Sequence, residues 1–282
     1  MPWWLRIAAK IGLARLPLGY RLWQRLALFR HGAMDDAGYA LRCFRDHFSV
    51  AKEHGLADGF SAVELGPGDS LVSALIVRAT GGNRCWLVDA GSFARDDIEH
   101  YRGMAQDLRR SGMTPPDLST AATLEDMLAL CDCHYLTQGL DSLRQIPTGS
   151  VDFIWSQAVL EHVRAHEFGD TMRELRRIQS DRGIGSHRID LRDHLGGALN
   201  NLRFSAGLWE SRFMAGSGFY TNRIGYSDLL DAFRQAGFRV DVTHVDRWDS
   251  LPTPRARMAA PFRDRPDDDL LVSGFNVVLR PD

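Results

Sequence analysis

The chain predicts an α/β fold built on a doubly wound, mostly parallel sheet of about seven strands. Three observations point there. Short apolar runs alternate along the sequence with segments of helical spacing. One run, Ser61-Ala62-Val63, enters Glu64-Leu65-Gly66-Pro67-Gly68-Asp69-Ser70, which places an acid, two glycines one residue apart and a small polar residue just before the apolar stretch Leu71 to Val77. A further run, Cys85-Trp86-Leu87-Val88, ends in Asp89, about twenty residues after Gly68. The order strand, glycine turn, helix, strand, acid suits a sheet that binds a nucleoside. The turn needs glycine because the backbone bends sharply and a ligand approaches it closely, and the acid can accept hydrogen bonds from ribose hydroxyls.

Taken in order, residues 2–31 read as two basic amphipathic helical segments broken near Pro17, with Trp3, Trp4 and Trp23 among the apolar residues. Residues 37–54 form a helix leading to the loop Gly55–Gly59. Strand one is expected at 60–65, its helix at 69–80 and strand two at 85–89. A helix at 94–112 carries Ile98, Tyr101, Met104 and Leu108 at helical spacing and stops at Pro115-Pro116. A helix at 122–131 and a short strand near 134–137 follow. Gly149-Ser150 opens strand four, Val151-Asp152-Phe153-Ile154-Trp155. A helix at 168–179 leads to strand five at 185–191. A helix at 226–236 ends at Gly237, a C-cap signal, and strands at 238–245 and 270–279 close the chain. Residues 1–56 are thus expected to form a basic helical extension, and residues 57–282 the main domain, with a lid inserted after strand five at about 192–223.

The 282 residues suffice for one large α/β domain, and 44% hydrophobic with 25% charged residues suits a globular protein. A net charge of −2 gives no case for nucleic-acid binding. Arg6, Lys10, Arg15, Arg21, Arg25 and Arg30 face no acid within residues 1–34, so the remainder is acidic. That basic segment has two open readings: it packs on the main domain or a second subunit, or it lies peripherally on an anionic membrane surface. Cys43, Cys85, Cys131 and Cys133 form no CxxC pair, which suggests a reducing, cytoplasmic setting. No apolar run approaches a membrane-spanning length. The glycine spacing is not that of a nicotinamide fingerprint, and Lys10 and Lys52 both lie away from the turn, so a phosphate-cradling P-loop is absent too.

Glu64-Leu65-Gly66-Pro67-Gly68-Asp69-Ser70 resembles the first motif of the class I S-adenosylmethionine-dependent methyltransferases. The stretch Gly149 to Val163, with Ser156-Gln157-Ala158-Val159-Leu160-Glu161-His162 leaving strand four, resembles their fourth-strand motif. The resemblance covers roughly residues 57–280. It implies a Rossmann-like sheet, S-adenosyl-L-methionine as cofactor and transfer of a methyl group in a bacterial enzyme. It also implies roles. Glu64 would orient the turn and the ammonium side of the cofactor; Gly66, Pro67, Gly68, Asp69 and Ser70 would form the loop around the amino acid portion. Asp89 would take the ribose hydroxyls, Ala90 and Gly91 would sit by the adenine, and Ser156 and Gln157 would face the methionine portion. The chain departs from the pattern in three places. Ser70 replaces the usual third glycine. Leu140 stands where relatives often carry an acid that reads adenine, which leaves Asp141, a backbone amide or packing for that task. Arg182-Gly183-Ile184-Gly185 replaces a Pro-Gly-Gly.

An oxygen acceptor of a methyl group needs a base. His162, just past strand four, and His194, past strand five, are the candidates, with Asp190 or Asp193 to orient an imidazole. No cluster has the ligand count of a metal site. In the lid, Arg203, Trp209, Tyr220, Asn222 and Arg223 mix aromatic and hydrogen-bonding groups suited to a sugar or another polar ring. The expected partner is a small-molecule acceptor, a sugar or glycolipid-type hydroxyl, and a homo-oligomer is compatible with the sequence. A natural-product or quinone acceptor, or a non-catalytic cofactor-binding subunit, remains open at this point. A nucleic-acid acceptor is disfavoured, because Ser156-Gln157-Ala158-Val159 stands where an Asn/Asp-Pro-Pro-aromatic sequence would be needed.

Overall fold

The computed structural model describes residues 34–282, so the two helical segments expected at 2–31 lie outside the described residues. The described strands are β1 (Ser61–Leu65), β2 (Arg84–Val88), β3 (Cys133–Leu136), β4 (Val151–Gln157), β5 (Gln179–Asp190), β6 (Phe238–Arg247) and β7 (Val272–Pro281). They form one sheet in the order β3-β2-β1-β4-β5-β7-β6. All neighbours are parallel except β7, which runs antiparallel to both β5 and β6. This is the doubly wound, mostly parallel sheet expected from the alternating pattern. The chain moves outward through β2 and β3, then returns to lay β4 on the other side of β1. That reversal opens a crevice beyond the carboxyl ends of β1 and β4.

The core has two sides because successive strand residues point to opposite faces. Along β4, Phe153 and Trp155 enter one cluster and Ile154 the other. The first side is covered by α1 (Ala37–Glu53), α2 (Val72–Ala79), α3 (Ile98–Arg110) and α4 (Leu124–Leu130). The short α5 (Leu140–Leu143) follows β3, and α6 (Phe168–Ile178) lies on the second side with Phe168, Met172, Leu175 and Ile178 buried. Thr123 and Asp126 close a capping box at the start of α4.

α1 falls within the expected extension, before the boundary at residue 56, yet it belongs to the same core as the sheet. Asp36 caps it by accepting from the Tyr39 amide at 2.7 Å. Ala37, Ala40, Leu41, Phe44, His47 and Ala51 form its buried stripe. The Phe44 ring meets Phe153 and Trp155 edge-on, at 6.1 and 5.4 Å, and stacks on Phe48 at 5.2 Å.

β5 starts six residues earlier than expected, directly from α6. Gln179 pairs with Val151, and the register then slips so that Ile184 faces Phe153. Gly183 permits this bulge, since a Cβ there would lie 2.9 Å from the Val151 carbonyl oxygen. After β5 come the lid helices α7 (Ala206–Trp209) and α8 (Arg212–Ala215), then α9 (Tyr226–Gln235), whose end is followed by Gly237 at φ +89° as the sequence suggested. Two short helices, α10 (Ala260–Arg263) and α11 (Asp267–Leu270), precede β7.

If α1 is integral to the core, Phe44→Ala should cost about 3–4 kcal/mol in urea denaturation, as expected for emptying a buried aromatic site. A loss under about 1 kcal/mol would mean that the helix docks loosely.

Candidate functional site

The turn after β1 is shaped by two left-handed glycines, Gly66 at φ +68° and Gly68 at φ +67°. Gly66 cannot be replaced: a Cβ there would sit 2.5 Å from a Val159 methyl, so the glycine turn and the turn after β4 touch backbone to side chain. The Gly66 amide donates to the Val88 carbonyl at 2.8 Å. The Gly68 amide donates to Asp89 Oδ2 at 3.0 Å, and the Ala90 amide donates to Asp89 Oδ1 at 2.7 Å. The Asp89 carbonyl accepts from the Gly139 amide at 2.9 Å. Asp89 therefore holds together the glycine turn, its own Ala90-Gly91 segment and the loop before Leu140. The Gly91 carbonyl accepts from the Tyr135 hydroxyl at 3.1 Å. Asp141 is exposed and ion-paired with Arg144 at 2.7 Å.

Ser70 does not crowd the turn, contrary to what its bulk relative to glycine suggests. It is fully buried, with Oγ accepting from the Val72 amide at 3.3 Å and lying 3.5 Å from Met104 Sδ. The Leu71 amide donates to the Tyr101 hydroxyl at 3.2 Å. These contacts satisfy amides at the start of α2. Asp69 is buried and its carbonyl accepts from the Arg95 amide at 3.0 Å.

Glu64 is the buried acid of the motif. Burial pushes its carboxyl up to about 8, against the pull of Ser73 and the Trp155 indole, and the Asp89 charge adds to the rise. Its Oε2 has no hydrogen-bond partner. The ordinary carboxylate is thus held as a neutral acid near pH 7.

At the end of β4, Ser156 and Gln157 are tied to histidines that the sequence reading did not single out. Ser156 Oγ lies 2.8 Å from His187 Nδ1. His47 Nε2 lies 3.1 Å from Gln157 Oε1, and its Nδ1 lies 2.8 Å from Ser186 Oγ. The amide oxygen can only accept, so Nε2 of His47 carries the proton and Nδ1 takes the Ser186 hydroxyl. Burial lowers both imidazoles, His187 to about 3, with the neighbouring His47 adding to its shift. His47 was detectable: it continues the buried stripe of α1 after Phe44.

His162 sits at the mouth of the crevice with an exposed ring. Its Nδ1 donates to the Tyr220 carbonyl at 2.7 Å, which makes Nε2 the basic nitrogen of the neutral ring. His194 lies edge to face with it, ring centroids 4.8 Å apart, so the structure brings the two candidate bases together. The two acids also hold groups of their own segments, and the His194 charge acts on Asp190 as well. Asp190 forms a forked pair with Arg192, with Nε to Oδ1 at 2.9 Å and Nη2 to Oδ2 at 2.7 Å. Burial raises its carboxyl, and the Arg192 bonds outweigh that, holding it below its usual range. Asp193 accepts from the amides of Leu195 at 2.9 Å, Gly196 at 2.7 Å and Asn200, so it shapes the 193–200 loop.

The lid residues divide. Trp209 is fully buried and Tyr220 nearly so, and both belong to the lid's own cluster with Leu195, Met214 and Phe219. Trp209 Nε1 donates to the Thr221 carbonyl at 2.7 Å, and the Tyr220 hydroxyl donates to Glu210 at 2.8 Å. In place of the expected substrate contact, these rings form a small core, because an insertion this long needs one of its own. Asn222 Nδ2 donates to the carbonyls of Leu160 at 2.9 Å and Val163 at 3.1 Å, which locks the lid onto the turn after β4. Arg203 bonds Asn200 Oδ1 at 2.9 Å. Arg223, at φ +59°, lines a cavity with Glu161. Glu161 was missed by sequence reasoning; it is buried, its carboxyl pushed up to about 8 by burial, and its Oε1 accepts from the Asp190 amide at 3.3 Å.

No protein-family model matches the chain, and no curated protein matches it. Among solved structures it is similar to an S-adenosylmethionine dependent methyltransferase from Mesorhizobium loti, at 15% identity over 83% of this chain and 97% of that one, with a TM-score of 0.45. It is similar to a SAM-dependent methyltransferase from Methanosarcina mazei, at 14% identity over 82% and 96%, TM-score 0.48. It is also similar to a putative methyltransferase from Haloferax volcanii in complex with the Trm112 methyltransferase activator, at 18% identity over 86% and 94%, TM-score 0.42. At such identities the chain's own residues have to carry its chemistry.

Glu64 makes stability depend on pH. The folded state keeps a proton that the unfolded state gives up above its ordinary value of 4.5, so its contribution is fully present below that value and lost as pH rises through about 8. Glu64→Gln removes this slope. Relative to wild type, the variant should gain about 4 kcal/mol between pH 5 and pH 8.5 in denaturant titrations. An unchanged difference across that range would show that Glu64 is ionised in the folded protein.

Proposed function

We propose that the chain is an S-adenosylmethionine-dependent methyltransferase acting on a small-molecule acceptor, by O-methylation of a sugar or glycolipid-type hydroxyl. The observation that carries this reading is the junction of the left-handed Gly66 and Gly68 with the Asp89 carboxylate, at the point where the strand order reverses. The residues present fit such a cofactor. The glycines leave backbone bare for the amino acid portion, and the buried Glu64 Oε2 awaits a donor such as an ammonium group. Asp89 would take the ribose hydroxyls; Ala90, Gly91, Leu140 and Asp141 would lie by the adenine, and Ser156 and Gln157 by the methionine portion.

When bound, S-adenosylmethionine supplies an electrophilic methyl group on a sulfonium. The protein's part is to place an acceptor hydroxyl and take its proton. His162 suits the second task, since the Tyr220 carbonyl fixes its tautomer and leaves Nε2 as the base. His194 lies edge to face with it, a second imidazole beside the same acceptor position. Asp190 and Asp193 act as supports, the first through Arg192 and the second through the 193–200 loop.

The basic residues 1–34, with no acid among them, support peripheral contact of residues 2–31 with an anionic membrane surface, where a glycolipid-type acceptor would be met. Co-sedimentation of the full chain with phosphatidylglycerol vesicles, lost in 0.5 M salt, is the expected outcome; no sedimentation at low salt would sink that part.

Calorimetric titration with S-adenosylmethionine and S-adenosylhomocysteine tests the main reading. Micromolar binding is expected for the wild type, weakened about 100-fold in Asp89→Ala by loss of charged hydrogen bonds to ribose. No binding of either ligand to the folded wild type would overturn it. Once an acceptor is in hand, His162→Ala should lower kcat by about 10²–10³ with cofactor affinity unchanged.

A further inference from the structure

An open cavity lies between the lid, the end of β5 and the start of β7. Leu199, Leu270 and Val272 give it an apolar wall, and Glu161, Asn201 and Arg223 a polar one. Each polar residue keeps one buried atom without a hydrogen-bond partner: Glu161 Oε2, Asn201 Oδ1 and Arg223 Nε. Glu161 and Asn201 are 1% and 3% exposed, and the Arg223 side chain 5%. Buried polar groups are normally satisfied, so three orphans around one cavity call for a molecule that satisfies them. Their chemistry is specific. Asn201 Oδ1 can accept, Arg223 Nε donates, and Oε2 of the neutral Glu161 carboxyl can donate or accept.

The charges lining the cavity are balanced within the protein. Arg223 donates from Nη1 to the Phe204 carbonyl at 2.7 Å and lies 3.8 Å from Glu210. Arg265 pairs with Asp228 at 2.7 Å and Asp269 at 3.4 Å, and Asp190 pairs with Arg192. An ion would find no uncompensated partner, whereas a neutral molecule bearing hydroxyls would find an amide oxygen, a guanidinium N–H, a carboxyl group that can donate or accept, and an apolar surface. The backbone supports a functional reading of the position. Arg223 is one of three residues other than glycine at positive φ among the described residues, and another, Ala158 at φ +54°, starts the turn that carries Glu161. That same turn meets the glycine turn through Val159 and carries His162.

We infer that this cavity binds a neutral, polyhydroxylated ring, a sugar residue either free or carried on a lipid, through Asn201, Arg223 and Glu161. The inference rests on the methyl-transfer reading, in which this ring bears the acceptor hydroxyl; the binding site itself can be tested separately.

Saturation-transfer NMR on the full chain provides the test, with methyl glucopyranoside, methyl galactopyranoside and methyl mannopyranoside as probes, each with and without S-adenosylhomocysteine. At least one probe should receive transfer on its ring protons. Arg223→Lys, which keeps the charge and loses Nε–H, and Asn201→Ala should each weaken binding about fivefold or more, the worth of one hydrogen bond. Glu161→Met, which keeps the length and removes both oxygens, should do the same and decides the matter if either other variant fails to give a native melting transition. S-adenosylhomocysteine affinity should stay within about twofold in all three, since none lies in the glycine turn. Octyl glucoside below its micelle concentration separates the sources: binding about tenfold tighter than methyl glucoside points to a lipid-carried sugar, and equal binding to a free one. No transfer to any probe, transfer unchanged in the folded variants, or a crystal structure at saturating glycoside with only water in the cavity would each overturn the inference. S-adenosylhomocysteine binding without glycoside binding overturns this inference alone, and glycoside binding without S-adenosylhomocysteine binding overturns the methyl-transfer reading alone.

Discussion

The site is organised around one steric contact, that between Gly66 and Val159. A side chain at Gly66 would lie 2.5 Å from the valine, so the turn after β1 and the turn after β4 approach as closely as two chain segments can. That approach is available only because β1 and β4 are direct neighbours, with Val63 opposite Ile154 and Leu65 opposite Ser156. The neighbour relation follows from the reversal of strand order, which brings distant parts of the sequence to one edge. The positive φ of Ala158 bends the second turn away from the sheet immediately after β4, and its amide is held by the Arg188 carbonyl at 2.9 Å. Val159 then caps a short 3₁₀ segment, Leu160–His162, which carries Glu161 and His162. Moving Val159 would move all three.

A second constraint is electrical. Glu64, Glu161, His47 and His187 are all buried close to the carboxyl edge of the sheet, and burial drives each towards its neutral form. None gains an ion pair that would reverse the shift. Ionisable groups kept neutral contribute little to stability there, since apolar residues would fill the same space without desolvation. What they offer is hydrogen-bond capacity in a low dielectric, where a donor or acceptor on a bound molecule counts for more than it does in water. The network through His47, Ser186 and Gln157 also ties α1 to the mouth of β4, which explains why a helix preceding the first strand is built into the same core.

Much of this was legible in the sequence, and the reason is locality. The glycine turn, the acid ending β2 and the run of strand four are set by residues within a few positions of one another, so backbone demands show directly as Gly66, Gly68 and Asp89. The early start of β5 was not legible, because Gly183 matters only through its approach to Val151 in another strand. The lid was misread in the same way. Trp209 and Tyr220 look like ligand contacts in a polar, irregular stretch, but whether an aromatic faces a ligand or a small core depends on tertiary packing that the stretch does not reveal. Asp193 looks like a partner for the adjacent His194; its carboxylate accepts from amides of its own loop. Glu161 hid beside His162, since the adjacent histidine drew the chemical reading.

Asn222 joins these observations. Its side-chain amide donates to two carbonyls of the turn after β4, and its backbone amide donates to the Glu161 carbonyl at 2.7 Å. The lid is therefore fastened to the very turn that touches the glycine turn and carries His162. Arg223 is held at a positive φ directly after this clasp, with Asn222 Oδ1 accepting from the Ile224 amide at 3.1 Å on its far side. A side chain in a sparsely populated backbone state stays there only when its surroundings fix it. Here the fixing is done by a single asparagine that immediately precedes the strained position and bonds both the turn after β4 and the residue after that position. The wall of the cavity and the imidazole of His162 are thus set by one clasp, so the geometry of the cavity and the placement of the candidate base cannot vary independently.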